Sequence, residues 1–249
     1  MIVLKSQKEL AVMRSAGQIV AEVFLLIKEI AKPGITSMEL NNLAEKEIIK
    51  RKAVPAFKGY NGYPYTLCCS LNAQIVHGMP SSVPLNDGDI ISLDLGAKYN
   101  GFYGDSAITL PIGSISKEAK QLLAVTEESL YKGMEFASPG NRLTDISHGV
   151  QKYVESSGFS VVRDYVGHGV GRMLHEAPQI PNYGAPGRGP LLKPGMVLAI
   201  EPMVNQFSYE VEVLDDGWTA VTCDGGLSAH FEHTVAITDN GPEILTAIQ

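Results

Sequence analysis

The sequence predicts an α+β chain made of two similar α/β halves that share one core and hold a ligand site in the cleft between them. Three observations carry this. A pair of helix signals followed by strand-like runs occurs twice in the same order. Short motifs recur at matching places in the two passes. Acidic residues interrupt apolar, strand-like runs at corresponding positions. At 249 residues and 45% apolar, the chain is long enough to bury a sizeable core.

The elements follow from local chemistry. Ser6 and Glu9 form a capping box that opens a helix reaching about Ala31, stopped by Pro33 and Gly34. Thr36 and Glu39 form a second capping box, for a helix to about Arg51. Strands are expected over 83–97 and 102–111. The pattern then restarts with a helix over 116–136, a stop at 137–140, a helix over 144–156, and strand-like runs that include 196–204 and 229–237. Ala31-Lys-Pro-Gly34 matches Ala137-Ser-Pro-Gly140, and His77-Gly-Met matches His168-Gly-Val. Gly88 to Asp94 matches Gly195 to Glu201, with the acid six residues past the glycine each time. Asp105-Ser-Ala-Ile-Thr109 loosely matches Glu232-His-Thr-Val-Ala-Ile-Thr238. The halves are roughly 1–112 and 113–249, packed about a pseudo-two-fold axis. No Gly-, Ser- or Pro-rich linker separates them, so 1–249 reads as a single domain.

A net charge of −7 and an isoelectric point near 5.4 argue against a nucleic-acid binder, and no nucleic-acid motif is present. The first residues lack the apolar core of a signal peptide. The longest apolar stretch, 20–30, contains Glu22, Lys28 and Glu29, so no membrane span is expected. Cys68, Cys69 and Cys223 are a poor disulfide framework and fit a reducing compartment, so cytoplasm is the expected location.

The acids are expected to converge. Asn100-Gly101 is a strong two-residue hairpin signal. With that turn, Tyr99 pairs with Phe102, Asp94 opposes Ala107, and Asp105 opposes Gly96. Asp94 and Asp105 then share one face as diagonal neighbours, roughly 7–8 Å apart at Cα. Two carboxylates so close repel unless a cation or proton intervenes. Asp94, Glu201 and Glu232 each sit in an apolar run with no matching buried Arg or Lys, and an unpaired carboxylate there is costly. His168, between Gly167 and Gly169, adds an imidazole on a backbone that a ligand can approach closely. Four carboxylates and one imidazole are too anionic for a single structural zinc. They suit two divalent ions bridged by carboxylates and a water, with Mn, Fe, Co or Zn favoured by the donor set.

Together, His77-Gly-Met-Pro, Asp94 and Asp105 with ten residues between them, Gly-His168-Gly-Val-Gly-Arg-Met-Leu-His175-Glu-Ala-Pro, Ile-Glu201-Pro-Met and Phe-Glu232-His-Thr resemble the short bacterial form of the type I methionine aminopeptidases. The resemblance covers nearly the whole chain. It implies a pita-bread fold, with two pseudo-two-fold related halves on a central antiparallel sheet and a dinuclear metal site in the cleft. Asp94, Asp105, His168, Glu201 and Glu232 would hold the two ions, with Asp105 and Glu232 bridging. Glu201 would also act as general base, His175 would contact the scissile carbonyl, and His77 would reach the amide of the following residue. Tyr60, Tyr63, Cys68, Leu174 and Trp218 would line the methionine pocket. The expected substrate is the N-terminal methionine of nascent polypeptides at or near the ribosome, released when the second residue is small and uncharged, by a monomeric enzyme.

Four places depart from that family's commonest pattern. Ala73-Gln74 replaces an Asn-Glu pair, Leu174 stands where Phe is usual, Phe57 where a small residue is common, and His230 where Gln is usual. The departures at Leu174 and Phe57 bear on pocket shape, and alternation puts His230 on the face of Glu232. The competing readings are a proline-specific aminopeptidase of the same fold and a pita-bread protein that binds partners without catalysis. Five intact ligand positions and both histidines weigh against the second.

Overall fold

The computed structural model describes residues 2–248; Met1 and Gln249, the outer ends of the two expected halves, lie outside them. The helices are α1 (Gln7–Ile30), α2 (Ser37–Lys50), α3 (Lys117–Met134) and α4 (Leu143–Ser156). Both expected capping boxes are present, at Ser6 with Glu9 and at Thr36 with Glu39. The strands of the first part are β1 (Val54–Pro55), β2 (Leu67–Leu71), β3 (Gln74–Val76), β4 (Ile90–Tyr99) and β5 (Phe102–Pro111). Those of the second are β6 (Ser160–Val161), β7 (Gly167–Gly169), β8 (Glu176–Ile180), β9 (Val197–Ile200), β10 (Met203–Asn205), β11 (Val211–Val213), β12 (Ala220–Thr222), β13 (Ser228–His230), β14 (Glu232–Thr238) and β15 (Gly241–Ile244).

Three expected strands are corrected. The first begins at Ile90 rather than near 83, because Asn86, Asp87 and Gly88 make a turn held by Asp89, whose carboxylate accepts from the Asn86 N–H. The run 196–204 splits at Glu201-Pro202, since proline has no N–H to give a ladder. The run 229–237 splits at Phe231, leaving β13 and β14 in different sheets.

A nine-stranded antiparallel sheet runs β1-β4-β5-β14-β9-β7-β8, with β2 added on β4 and β15 on β14. Two three-stranded sheets, β13-β10-β6 and β11-β12-β3, stand beside it. One apolar cluster joins α1 and α2 to β2 and β4 through Val23, Ile27, Leu40, Ile91 and Leu93. Others join α3 and α4 to the opposite strands through Leu130, Ile146, Leu198 and Val235. By length and composition α1 would cross a bilayer, but Met13, Val20, Val23 and Ile27 are wholly buried in the core. It lies so close to β5 that a Cβ on Gly104 would come within 2.7 Å of the Gly17 nitrogen.

Candidate metal centre

The hairpin register sets the site. Asn100 and Gly101 both take positive φ, Tyr99 pairs with Phe102, Asp94 with Ala107 and Gly96 with Asp105, as the turn signal implied. On the other side of β5, Glu232 also pairs with Ala107, so Asp94, Ala107 and Glu232 form one row across three strands. Paired residues share a face. His233 pairs with Ile200, and that register puts Glu201 level with Glu232 one residue past the end of β9. His168 pairs with Ala199, two residues before Glu201, and so faces the same way. Five ligand-type residues thus reach one face from β4, β5, β7, β14 and the break after β9. Ala107 keeps the middle of that row small. Gly96 makes room beside Asp105, where a Cβ would lie 2.9 Å from the Phe57 ring and 3.3 Å from Asp105 Oδ1.

Where the ladder between β5 and β14 ends, Thr234 takes its place. The Asp105 N–H donates to Thr234 Oγ1 at 3.0 Å, and that hydroxyl donates to the Asp105 carbonyl at 2.7 Å. The Glu201 carbonyl accepts from Asn182 Nδ2 at 2.9 Å. His168 Nε2 is 3.5 Å from Glu201 Oε1 and 3.8 Å from Asp105 Oδ2. Its Nδ1 is 3.0 Å from the Gly169 carbonyl, which only accepts, so the proton sits on Nδ1 and the Nε2 lone pair faces the acids.

The residues fit a metal. Asp94 Oδ1, Asp105 Oδ1 and Glu232 Oε1 are buried without a hydrogen-bond partner among the described residues. Asp105, His168 and Glu232 offer ligand atoms all within 4.8 Å of one another. Among the described residues, no lysine or arginine lines the cavity above them. Burial pushes Asp105 up to about 7. Burial first, and neighbouring carboxylates second, hold Asp94, Glu201 and Glu232 well above the usual carboxylate range. Burial and then the nearby His175 lower His168 to about 4, so its imidazole is neutral and free to ligate. Anionic oxygens that are buried, unpaired and mutually repelling are what a cation would relieve.

All of the residues expected in the site line one cavity of about 240 Å³: Tyr60, Tyr63, Cys68, His77, Asp94, Asp105, His168, Leu174, His175, Glu201, Trp218 and Glu232. The wall away from the acids is built from neutral, largely aromatic side chains. Tyr63 donates its hydroxyl to the Gly78 carbonyl at 2.9 Å, and Trp218 packs edge-on to its ring at 5.2 Å. Burial pushes the Tyr63 hydroxyl and the Cys68 thiol far up, so both stay neutral. Trp218 is therefore half-buried against the pocket, although its loop reads as an exposed hairpin tip.

His175 hydrogen-bonds Tyr60 through Nδ1 at 2.8 Å, and its ring stands 4.2 Å from that of His168. Its loop is held by Glu176, which accepts from the Arg172 and Met173 N–H groups and from Lys5 Nζ. His77 has φ 60, a conformation that costs energy outside glycine and is found at functional sites. Tyr165 stands edge-on to it at 5.3 Å. Tyr165, Asn61, Val76, Val166 and Met203 also line the cavity and were not singled out in the sequence. Only Tyr165 carried a signal, three residues before His168.

Residues 11–239 match the model of metallopeptidase family M24. The chain belongs to metallopeptidase family M24. Within the family, it is 58% identical to a methionine aminopeptidase of Clostridium perfringens and 59% identical to methionine aminopeptidase 1 of Bacillus subtilis, covering all of both chains in each case. The crystal structure of a methionine aminopeptidase from Thermotoga maritima superposes with a TM-score of 0.98 at 50% identity over the full length of both. The expected pita-bread fold, an enzyme and a methionine aminopeptidase are thereby established, ahead of the proline-specific and inactive alternatives.

Proposed function

We propose how this metalloexopeptidase, which removes N-terminal methionine from proteins and peptides, uses the cavity. Asp94, Asp105, His168, Glu201 and Glu232 would hold two divalent ions, drawn from Co, Mn, Fe or Zn, with Asp105 and Glu232 the carboxylates that would be shared between them. The observation that carries this is the set of three buried carboxylate oxygens without partners at the floor of a cavity that has no lysine or arginine. Bound there, such ions would supply Lewis acidity toward the free α-amino group and the scissile carbonyl and would lower the pKa of a water.

The chain's own groups do the rest. Glu201 takes the proton of the attacking water and passes it to the leaving amine. His175, oriented by Tyr60, donates to the carbonyl oxygen as negative charge develops there. His77 holds the amide of the second residue, which must pass close by and so is small and uncharged. Tyr60, Tyr63, Cys68, Leu174 and Trp218 take the methionine side chain; an unbranched thioether suits a neutral, aromatic slot.

Residues 1–249 act as one catalytic domain with an internal repeat of approximately 1–112 and 113–249. It works as a monomer in the cytoplasm, on nascent chains at or near the ribosome. Cleavage of Met-Ala-Ser, Leu-Ala-Ser and Met-Lys-Ser peptides, with and without chelator, tests the reading. Chelation abolishes activity and Mn or Co restores it, and Met-Ala-Ser is cleaved best by roughly 10- to 200-fold over Leu-Ala-Ser. Full activity in metal-free protein refutes the dinuclear site. Comparable kcat/KM for the three peptides refutes the pocket assignment.

A further inference from the structure

His230 is a buried histidine with no role in the reaction as described above. It ends β13, it is 1% exposed, and its Nε2 has no hydrogen-bond partner among the described residues. Its backbone is fully committed. The His230 N–H donates to Thr109 Oγ1 at 2.9 Å, and the same hydroxyl donates to the His230 carbonyl at 2.8 Å. Pairing with Met203 fixes the strand from the other side. The main chain is thus clamped on both edges, and the imidazole Nε2 lies 3.7 Å from Glu201 Oε2. Glu201 is held in the same manner, its carbonyl by Asn182, its Oε1 facing His168 and its Oε2 facing His230.

We infer that His230 is a positioning residue that donates from Nε2 to Glu201 Oε2 and so turns the other oxygen, Oε1, toward the metal side of the cavity. The inference rests on the reading of Glu201 as a metal ligand. A carboxylate that ligates a cation is ionised and only accepts hydrogen bonds, so a neutral imidazole facing it carries its proton on Nε2. The separation exceeds an ordinary hydrogen bond by about half an ångström, a gap that small side-chain rotations close. Burying an imidazole nitrogen without a partner is costly, and this pairing removes that cost. Groups that hydrogen-bond a ligating side chain set its orientation, and their loss typically weakens metal binding about 10- to 100-fold.

The test compares His230→Gln with His230→Leu in the full chain, reading Mn²⁺ affinity by calorimetry and the visible spectrum of the Co²⁺-loaded protein. Glutamine Nε2 reaches the same place as the imidazole Nε2, so His230→Gln is expected to keep both affinities within about threefold. His230→Leu is expected to weaken at least one ion by about 10- to 100-fold and to alter the Co²⁺ spectrum. Unchanged affinity and spectrum in His230→Leu overturn the inference. So does equal loss in both variants, which makes the imidazole itself a ligand. If His230→Leu does not fold, the imidazole ¹⁵N spectrum of Zn²⁺-loaded wild-type protein decides: a proton on His230 Nε2 supports the inference, and a bare or metal-bound Nε2 overturns it. Glu201→Gln separates the two readings, because wild-type affinity for both ions in that variant refutes Glu201 as a ligand whatever His230 does.

Discussion

Neutralising Asp105 in metal-free protein should stabilise the fold, by an amount that grows with pH. Asp105 is 3% exposed, and burial raises it from 3.8 to about 7. A folded value above the unfolded one means that the group's contribution is fully present below pH 3.8 and is lost as pH rises through 7. Carried above both values, that shift is worth about 4 kcal/mol. Asp105→Asn removes the charge but leaves a buried amide short of partners, which costs roughly 1–3 kcal/mol. The net gain at pH 8 is therefore about 1–3 kcal/mol, or about 2–12 °C in Tm for a chain of this size. Burial lowers His77, His230 and His233 from 6.5 to about 4, 3 and 4. Their contribution is present above pH 6.5 and lost as pH falls toward those values, but it is common to both proteins and cancels in the difference. Denaturant melts of chelated wild type and Asp105→Asn from pH 4.5 to 8 measure that difference. In excess Mn²⁺ the order reverses, because each of two ions at 100 times its Kd stabilises the wild type by about 2.7 kcal/mol, about 5 kcal/mol together. A metal-free difference that is flat with pH, or a variant less stable than wild type at pH 8, refutes the account of repelling buried acids.

Four other outcomes are expected. His168→Ala loses bound metal, whereas His77→Ala keeps it and loses mainly turnover; metal analysis of the purified variants checks both. Ala107→Val fills the gap between Asp94 and Glu232 in the carboxylate row, so metal content falls while circular dichroism stays that of the wild type. Tyr60→Phe removes the hydrogen bond to His175 Nδ1, worth about 1 kcal/mol, and lowers kcat about fivefold with KM little changed in steady-state assays. Lys5→Met leaves the Glu176 carboxylate without its buried ammonium partner and lowers stability by roughly 2–4 kcal/mol in urea melts.

The legible part of the fold was the part written in short-range chemistry. Ser6, Glu9, Thr36 and Glu39 announce two helix starts within four residues each, and Asn100-Gly101 fixes a turn whose register carries Asp94 and Asp105 to one face. The breaks at Pro202 and Phe231 were harder to see, because whether an apolar run stays in one sheet depends on which strands lie beside it. The left-handed backbone of His77 left no trace in composition or periodicity, and Tyr165 meets His77 only through tertiary packing.

The same distinction explains why the turn alone brings Asp94 and Asp105 together, while Glu201 and Glu232 stand out in the sequence only as acids in apolar runs and His168 as an imidazole between glycines. One hairpin brings the first two together. The other three need β14 to pair with both β5 and β9, and β7 to pair with β9. That arrangement juxtaposes charges the apo chain must carry as buried, partnerless oxygens. An apolar alternative at any of these positions would fold with less repulsion, so the cluster is intelligible only as a site whose stabilising partner is a cation.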